Sequence, residues 1–226
     1  MREGLPITLT SSAAKVILRR ETGWGGVTRV AATMHHGTVT APAARDAERL
    51  ARTVVLVGMM GSGKTAIGRR LSQRLDVDFV DSDTAIEVAA NATIPEIFDR
   101  DGEAFFRARE AEVIARLLSG PPAILSTGGG AFLSERNRAQ IAARGVSLWL
   151  DVDLDTLWDR VRHKDTRPLL RTADPRGTLA RLLRERTPIY AEAQVAVRGE
   201  PGFSIDDTTD RAIAALRARG DVLAPR

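Results

Sequence analysis

A chain of 226 residues can hold one large domain, or a domain of ordinary size with an appendage. It has no cysteine, which excludes disulfides and thiolate metal sites, and no apolar run approaches the roughly 20 residues that span a bilayer. Its formal charge of +4 sits in residues 1–52, with 8 basic and 4 acidic residues against 25 and 25 elsewhere, so a basic-domain case for nucleic acid fails outside that segment.

Residues 1–50 carry little pattern. Ala13 to Leu18 reads as a short apolar turn, while Gly23 to Gly26 and the Thr/Ala/Pro-rich Thr38 to Ala44 break any continuous helix. Ile7 to Leu18 is too mixed for a signal-peptide core. The expectation is a disordered tail, with an Arg-rich transit leader or translation from Met34 as alternatives. His35 and His36 read as solvated, because two adjacent imidazoles without further ligands make a poor metal site.

The organising stretch is Thr53 to Thr65, TVVLVGMMGSGKT. Val54 to Val57 reads as a strand buried on both faces, and Gly58, Gly63, Lys64 and Thr65 fit G-x-x-x-x-G-K-[ST], with Gly61 as an extra glycine. Ala66 to Leu75 carries Ile67, Leu71 and Leu75 at a spacing of four, which predicts a helix opening at the end of the loop. Glycines let successive N–H groups converge on one phosphate, and the helix N-terminus adds partial positive charge. Lys64 can reach the β- and γ-phosphates, and the Thr65 hydroxyl can ligate Mg²⁺. The stretch points to a nucleoside triphosphate.

Phe79-Val80 reads as the end of a second strand, which places Asp81 and Asp83 at a carboxyl edge where open α/β sheets bind ligands. One acid can serve the water shell of magnesium and the other a substrate hydroxyl; alternatively, Ser82 or Asp83 caps a helix over Thr84 to Ala90. Thr93 to Phe98 and Gly102 to Leu118 read as helices, with Arg107, Arg109, Glu110 and Glu112 as a solvated face of i,i+3 pairs. Ala123 to Ser126 is a third strand running into Thr127-Gly128-Gly129-Gly130. Those glycines mark either a close backbone approach or a plain turn.

Ser134 to Ala143 reads as a helix capped by Ser134, Val146 to Leu150 as a fourth strand, and Asp153 to Arg162 as a helix burying Leu154, Leu157, Trp158 and Val161. His163 to Asp174 turns polar around Arg167-Pro168-Leu169-Leu170. It suits a mobile cover with Arg167 as inserted charge, or an ordinary surface loop. Leu179 to Tyr190 is helical with a break at Thr187-Pro188, Val195 to Val197 a fifth strand, and Asp206 to Arg219 a closing helix. Alternating strands and helices predict an α/β fold with a doubly wound parallel sheet.

The loop, Asp81-x-Asp83, Arg107-x-x-Glu110-x-x-x-Ile114, Ile124-Leu125-Ser126-x-Gly128-Gly129-Gly130-x-Phe132 and Arg167-Pro168-Leu169-Leu170 together resemble shikimate kinase over about residues 52–220. The resemblance implies a P-loop kinase domain over 51–226 with a mobile lid, behind an N-terminal extension over 1–50. It implies that ATP is held by Gly61, Ser62, Gly63, Lys64, Thr65 and Ala66, with Arg160 near the adenine and Arg167 on the transferring phosphoryl group. Thr65 and Asp81 would place Mg²⁺, Asp83 would take the acceptor hydroxyl, Arg107 and Arg186 would clamp the shikimate carboxylate, and Gly128, Gly129 and Gly130 would present N–H groups. A cytoplasmic, monomeric enzyme of aromatic amino-acid biosynthesis follows, with shikimate and ATP as partners and neither nucleic acid nor membrane. The tail and the segment Arg198 to Ser204 stand outside the pattern. Gluconate and nucleoside-monophosphate kinases share loop and sheet and are the alternatives; a nucleotide kinase leaves the triplet and paired arginines less well explained. A silent binding module would have no need of the full set Lys64, Thr65, Asp81, Asp83 and Arg167.

Overall fold

The computed structural model describes residues 9–11, 14–16, 18–20, 30–32, 48–163 and 168–225, and the chain divides into two compact units, 1–44 and 45–226. In the first unit β1 (Leu9–Ser11) pairs antiparallel with β2 (Ala14–Val16), and β3 (Leu18–Arg20) with β4 (Val30–Ala32). The expectation of disorder over 1–50 falls largely outside the described residues, as do Met34, His35 and His36.

The second unit opens earlier than expected. β5 (Glu48–Leu50) lies before the predicted boundary at residue 51 and pairs antiparallel with β11 (Leu223–Pro225), Leu50 opposite Leu223. Neither three-residue strand has a period long enough to be read from sequence. Arg217 adds an ion pair to Glu48 at 2.7 Å, and Arg52 one to Asp221 at 2.7 Å.

The central sheet is built from β6 (Thr53–Val57), β7 (Phe79–Asp81), β8 (Ile124–Ser126), β9 (Gly145–Val152) and β10 (Val195–Gly199). Its order is β10-β9-β6-β8-β7, with every pairing parallel. All five residues of β6 are buried, so the strand shows no alternation, as a covered parallel strand should not. Val54 and Leu56 face one core cluster with α1 (Lys64–Leu75) and α7 (Ile205–Arg219). Val55 and Val57 face the other, with α3 (Ile94–Leu117), α4 (Glu135–Arg144), α5 (Leu154–Val161) and α6 (Pro175–Tyr190). Helices on both faces make the sheet doubly wound, as expected. Gly68 lets α1 lie close on the sheet, since a Cβ there would meet Phe79 at 2.6 Å and Leu56 at 2.8 Å.

Two local readings are corrected, the cap of α2 (Ser82–Ala90) and the course of α6. α2 is capped by Asp81, whose carboxylate accepts from the Asp83 N–H at 3.0 Å; neither Ser82 nor Asp83 is the cap. The two helices expected around residues 93–118 are present but meet without a linker, with Gly102 at φ 80°, ψ 172° as the joint. α6 begins at Pro175, where Asp174 caps it, and it runs through Pro188 to Tyr190 instead of breaking there. Proline removes one N–H but tertiary packing holds the helix: Leu179, Leu182 and Tyr190 are buried beneath it.

Candidate active site

A cavity of about 480 Å³ opens at the carboxyl ends of the strands, where such sheets carry their ligands. Its floor is the loop between β6 and α1. Gly58, Gly61 and Gly63 all take positive φ (134°, 83° and 96°), conformations that L side chains rarely adopt. The Lys64 Nζ donates to the carbonyls of Gly58 and Met59, both at 2.9 Å, and so lies curled over the loop. No side chain caps α1 and its first turn carries no acid, leaving its N–H groups and partial positive charge directed at the cavity. Ser62, Gly63, Thr65 and Ala66 line the same wall, and the buried Ser62 hydroxyl has no protein partner.

Asp81 and Asp83 face this loop across the cavity. The Asp83 Oδ1 is buried without a hydrogen-bond partner. Burial pushes its carboxyl above the usual aspartate range, the Asp81 charge adds to the shift, and Lys64 opposes it. A Cβ at Gly128 would come within 2.8 Å of that oxygen, so the glycine gives the carboxylate its room.

The triplet draws the arginines together. A Cβ at Gly130 would meet Arg107 Nη1 and Nη2 at 2.9 Å, and one at Gly129 would lie 3.9 Å from Arg186 Nη1. The glycines are therefore a close approach of backbone to guanidinium, and not a plain turn. Arg107 and Arg186, 79 positions apart in sequence, converge on three consecutive residues.

One expectation on α3 is corrected here. Arg107 does pair with Glu110, at 3.0 Å, but Glu110 is only 1 % exposed, so the pair is not part of a solvated face. Burial raises the Glu110 pKa while Arg107 pulls it down, and Arg107 is further held by Glu103 at 3.1 Å. Arg109 and Glu112 form the solvated pair at 2.8 Å. Arg160 reaches the loop from α5, its Nη1 donating to the Gly61 carbonyl at 3.3 Å. Arg167 lies outside the described residues; Pro168–Leu170 beyond it forms a 3-10 turn.

Two groups were missed. Gly199, Glu200, Phe203, Ser204 and Thr208 line the cavity, so the segment that resisted interpretation contributes a wall of it. Phe203 among glycine and proline was the available signal, an aromatic side chain on an otherwise small-residue connection. Tyr190 is buried, and its hydroxyl donates to the Gly129 carbonyl at 2.5 Å. Its place four residues after Arg186 puts both on one helical face.

A phosphate loop beside a parallel sheet, with a desolvated acid in the cavity wall and two arginines gathered at the adjoining glycine triplet, defines a P-loop phosphotransferase acting on a small molecule. The shikimate kinase family model matches residues 60–217. The chain is 64% identical over 177 residues to a shikimate kinase of Ruegeria pomeroyi, covering 78% of this chain and 91% of the relative. To one of Cereibacter sphaeroides it is 58% identical over 175 residues, covering 77% and 87%. A solved shikimate kinase of Acinetobacter baumannii in complex with shikimate superposes with a TM-score of 0.70 at 35% identity, covering 75% of this chain and 94% of that one. The chain belongs to the shikimate kinase family and is an ATP-dependent kinase.

Proposed function

We propose that this enzyme transfers the γ-phosphate of ATP to the 3-hydroxyl of shikimate, giving shikimate 3-phosphate and ADP in aromatic amino-acid biosynthesis. The observation that carries the reading is the orphaned Asp83 Oδ1 between the phosphate loop and the arginine-flanked triplet. A buried carboxylate oxygen without a protein partner costs free energy unless a ligand hydroxyl completes it. Asp83 accepts the hydroxyl proton as the oxygen attacks, and its raised pKa brings it nearer the basicity a general base needs at neutral pH.

Arg107 and Arg186 hold the shikimate carboxylate, since a planar guanidinium can give two parallel hydrogen bonds to it. Glu110 keeps Arg107 in place from below. The loop N–H groups, Gly61 to Ala66, cradle the phosphates, and Lys64 neutralises charge as it gathers on the transferring group. Arg160 stands at the nucleotide end of the loop, beside the expected adenine.

Thr65 and Asp81 supply two oxygen donors in the same cavity. Among the described residues no group of three or more His, Cys, Asp or Glu side chains gathers as a metal cage. That donor set fits Mg²⁺ held by one or two protein oxygens and the phosphates of its nucleotide. When bound, Mg²⁺ neutralises charge on the phosphate oxygens. We place the enzyme in the cytoplasm as a monomer, with shikimate and ATP as its partners. The even charge outside residues 1–52 argues against a nucleic-acid partner.

The test is ADP release from ATP and Mg²⁺ with shikimate, gluconate or nucleoside monophosphates offered separately. Release that depends on shikimate and vanishes in Asp83→Asn is expected. Release with another acceptor, or with none, would overturn the assignment.

A further inference from the structure

Gly128 to Ala131 form a tight turn, the Ala131 N–H donating to the Gly128 carbonyl at 3.1 Å. Its two central residues are both glycine. Gly130 sits at φ −90°, ψ −18°, the values of a type I turn. A glycine at that place equally admits a type II turn, with φ near +80°, in which the central peptide is rotated by about half a turn. Nothing in the two glycines themselves chooses between the forms, because neither has a Cβ.

The choice comes from Tyr190. Its ring is 1 % exposed and stacked on Trp149, centroids 6.4 Å apart, with Met59 Sδ 3.9 Å from its hydroxyl. That hydroxyl donates at 2.5 Å to the Gly129 carbonyl, the oxygen of the central peptide. In a trans peptide the C=O and the following N–H point in opposite directions. Fixing the Gly129 carbonyl on Tyr190 therefore aims the Gly130 N–H the other way. No cis peptide is present among the described residues, and the Gly130 backbone lies against the Arg107 guanidinium.

We infer that Tyr190 is a positioning residue for the acceptor: its hydroxyl locks the triplet in the type I form, so that the Gly130 N–H and Arg107 serve the same substrate anion. The inference rests on the shikimate reading above. Arg186, one turn earlier on α6, adjoins the same hydroxyl, so the carboxylate clamp and the turn lock share one helix face.

Tyr190→Phe keeps the ring on Trp149 and removes the hydroxyl, which is both the donor to Gly129 and the neighbour of Arg186, so the amide readout below is the one that isolates the turn. In the full chain, the shikimate KM should rise about 5- to 20-fold, the range for losing one buried hydrogen bond, while the ATP KM stays within about twofold. Unchanged KM values for both substrates, or equal rises in both, would overturn the inference. A second readout does not depend on turnover: the backbone amide signal of Gly130 should shift or double in the variant, as both turn forms become populated. A Gly130 amide unmoved by the substitution also overturns it. Wild-type enzyme without shikimate-dependent ADP release would instead break the functional reading, and the amide result would still judge the turn.

Discussion

The two halves of the proposed site are built on different principles. The nucleotide side is one contiguous stretch, Gly58 to Ala66, and its ligand-facing groups are mostly backbone N–H. The acceptor side is assembled from α2, α3, the turn after β8 and α6, and its working groups are side chains with buried support. Phosphates are alike in every nucleotide, so peptide groups on a fixed loop suffice to bind them. A particular small acid must be recognised by hydrogen-bonding groups set at fixed distances from one another, and only the tertiary fold sets them. The nucleotide half is generic and local; the acceptor half is specific and distributed.

Substitutions in the two halves should separate accordingly. The largest effect is expected for Asp83→Asn, which removes the base and should lower kcat about 10³-fold, within the range for general-base catalysis. The same change should stabilise the free protein. The folded-state pKa of Asp83 is raised, so between the unfolded value and the folded one the native state holds more protons than the unfolded chain, and stability falls as pH rises. Above that window the whole cost of the buried charge is present. Thermal unfolding at pH 8 should therefore give Asp83→Asn a Tm about 2–4 °C above wild type, the shift that about 1 kcal/mol produces in a domain of this size. Wild-type kcat/KM for shikimate should fall as pH drops through this raised pKa of the free protein; a flat profile would remove Asp83 from the chemistry.

Lys64→Met comes next, with kcat down about 10²- to 10³-fold, as for other single groups that stabilise developing charge. Its effect should persist whatever acceptor is offered, which marks the generic half. Arg186→Ala should raise the shikimate KM about 10- to 100-fold and leave the ATP KM within about twofold, because it removes one arm of the carboxylate clamp. Equal rises for both substrates would erase the division between the halves. The smallest effect belongs to Arg160→Ala. The side chain is exposed and makes one hydrogen bond to the loop, so the ATP KM should rise about threefold with the shikimate KM unmoved. Initial-rate kinetics with each substrate varied in turn measure all three.

The same contrast explains what could be read in advance. The sheet was legible because β6 is a run of apolar residues beside glycines, and α1 repeats Ile67, Leu71 and Leu75 on one face. The loop was legible because its chemistry is consecutive. Arg107 and Arg186 could be named only through the family pattern; no spacing places them at one turn. Glu110 was misjudged as solvated because periodicity gives a residue's helical face but not what covers that face, and here the core of α3 does. Tyr190 carries no sequence reading beyond marking the end of a helix. Its burial was implicit in the helix pattern, but its bond to Gly129 joins residues 61 apart in sequence. Asp81 served as cap where Ser82 or Asp83 had been expected, because the strand ends one residue before the helix begins and leaves no separate linker.

The pairing of β5 with β11 brings the two ends of this unit side by side, with Ala51 N–H donating to the Val222 carbonyl at 2.8 Å. A unit whose ends touch can be cut and rejoined. A short flexible linker from residue 225 to residue 48 would close the backbone into a ring, and new ends opened at the exposed turn Gly120–Pro121 would interrupt neither the phosphate loop nor the acceptor turn. Such a circular permutant would place the order of the strands in the chain at the experimenter's disposal. The phosphate loop would then lie late in the sequence, and a kinase folded from that order would show that the site depends on the assembled sheet and not on which strand comes first.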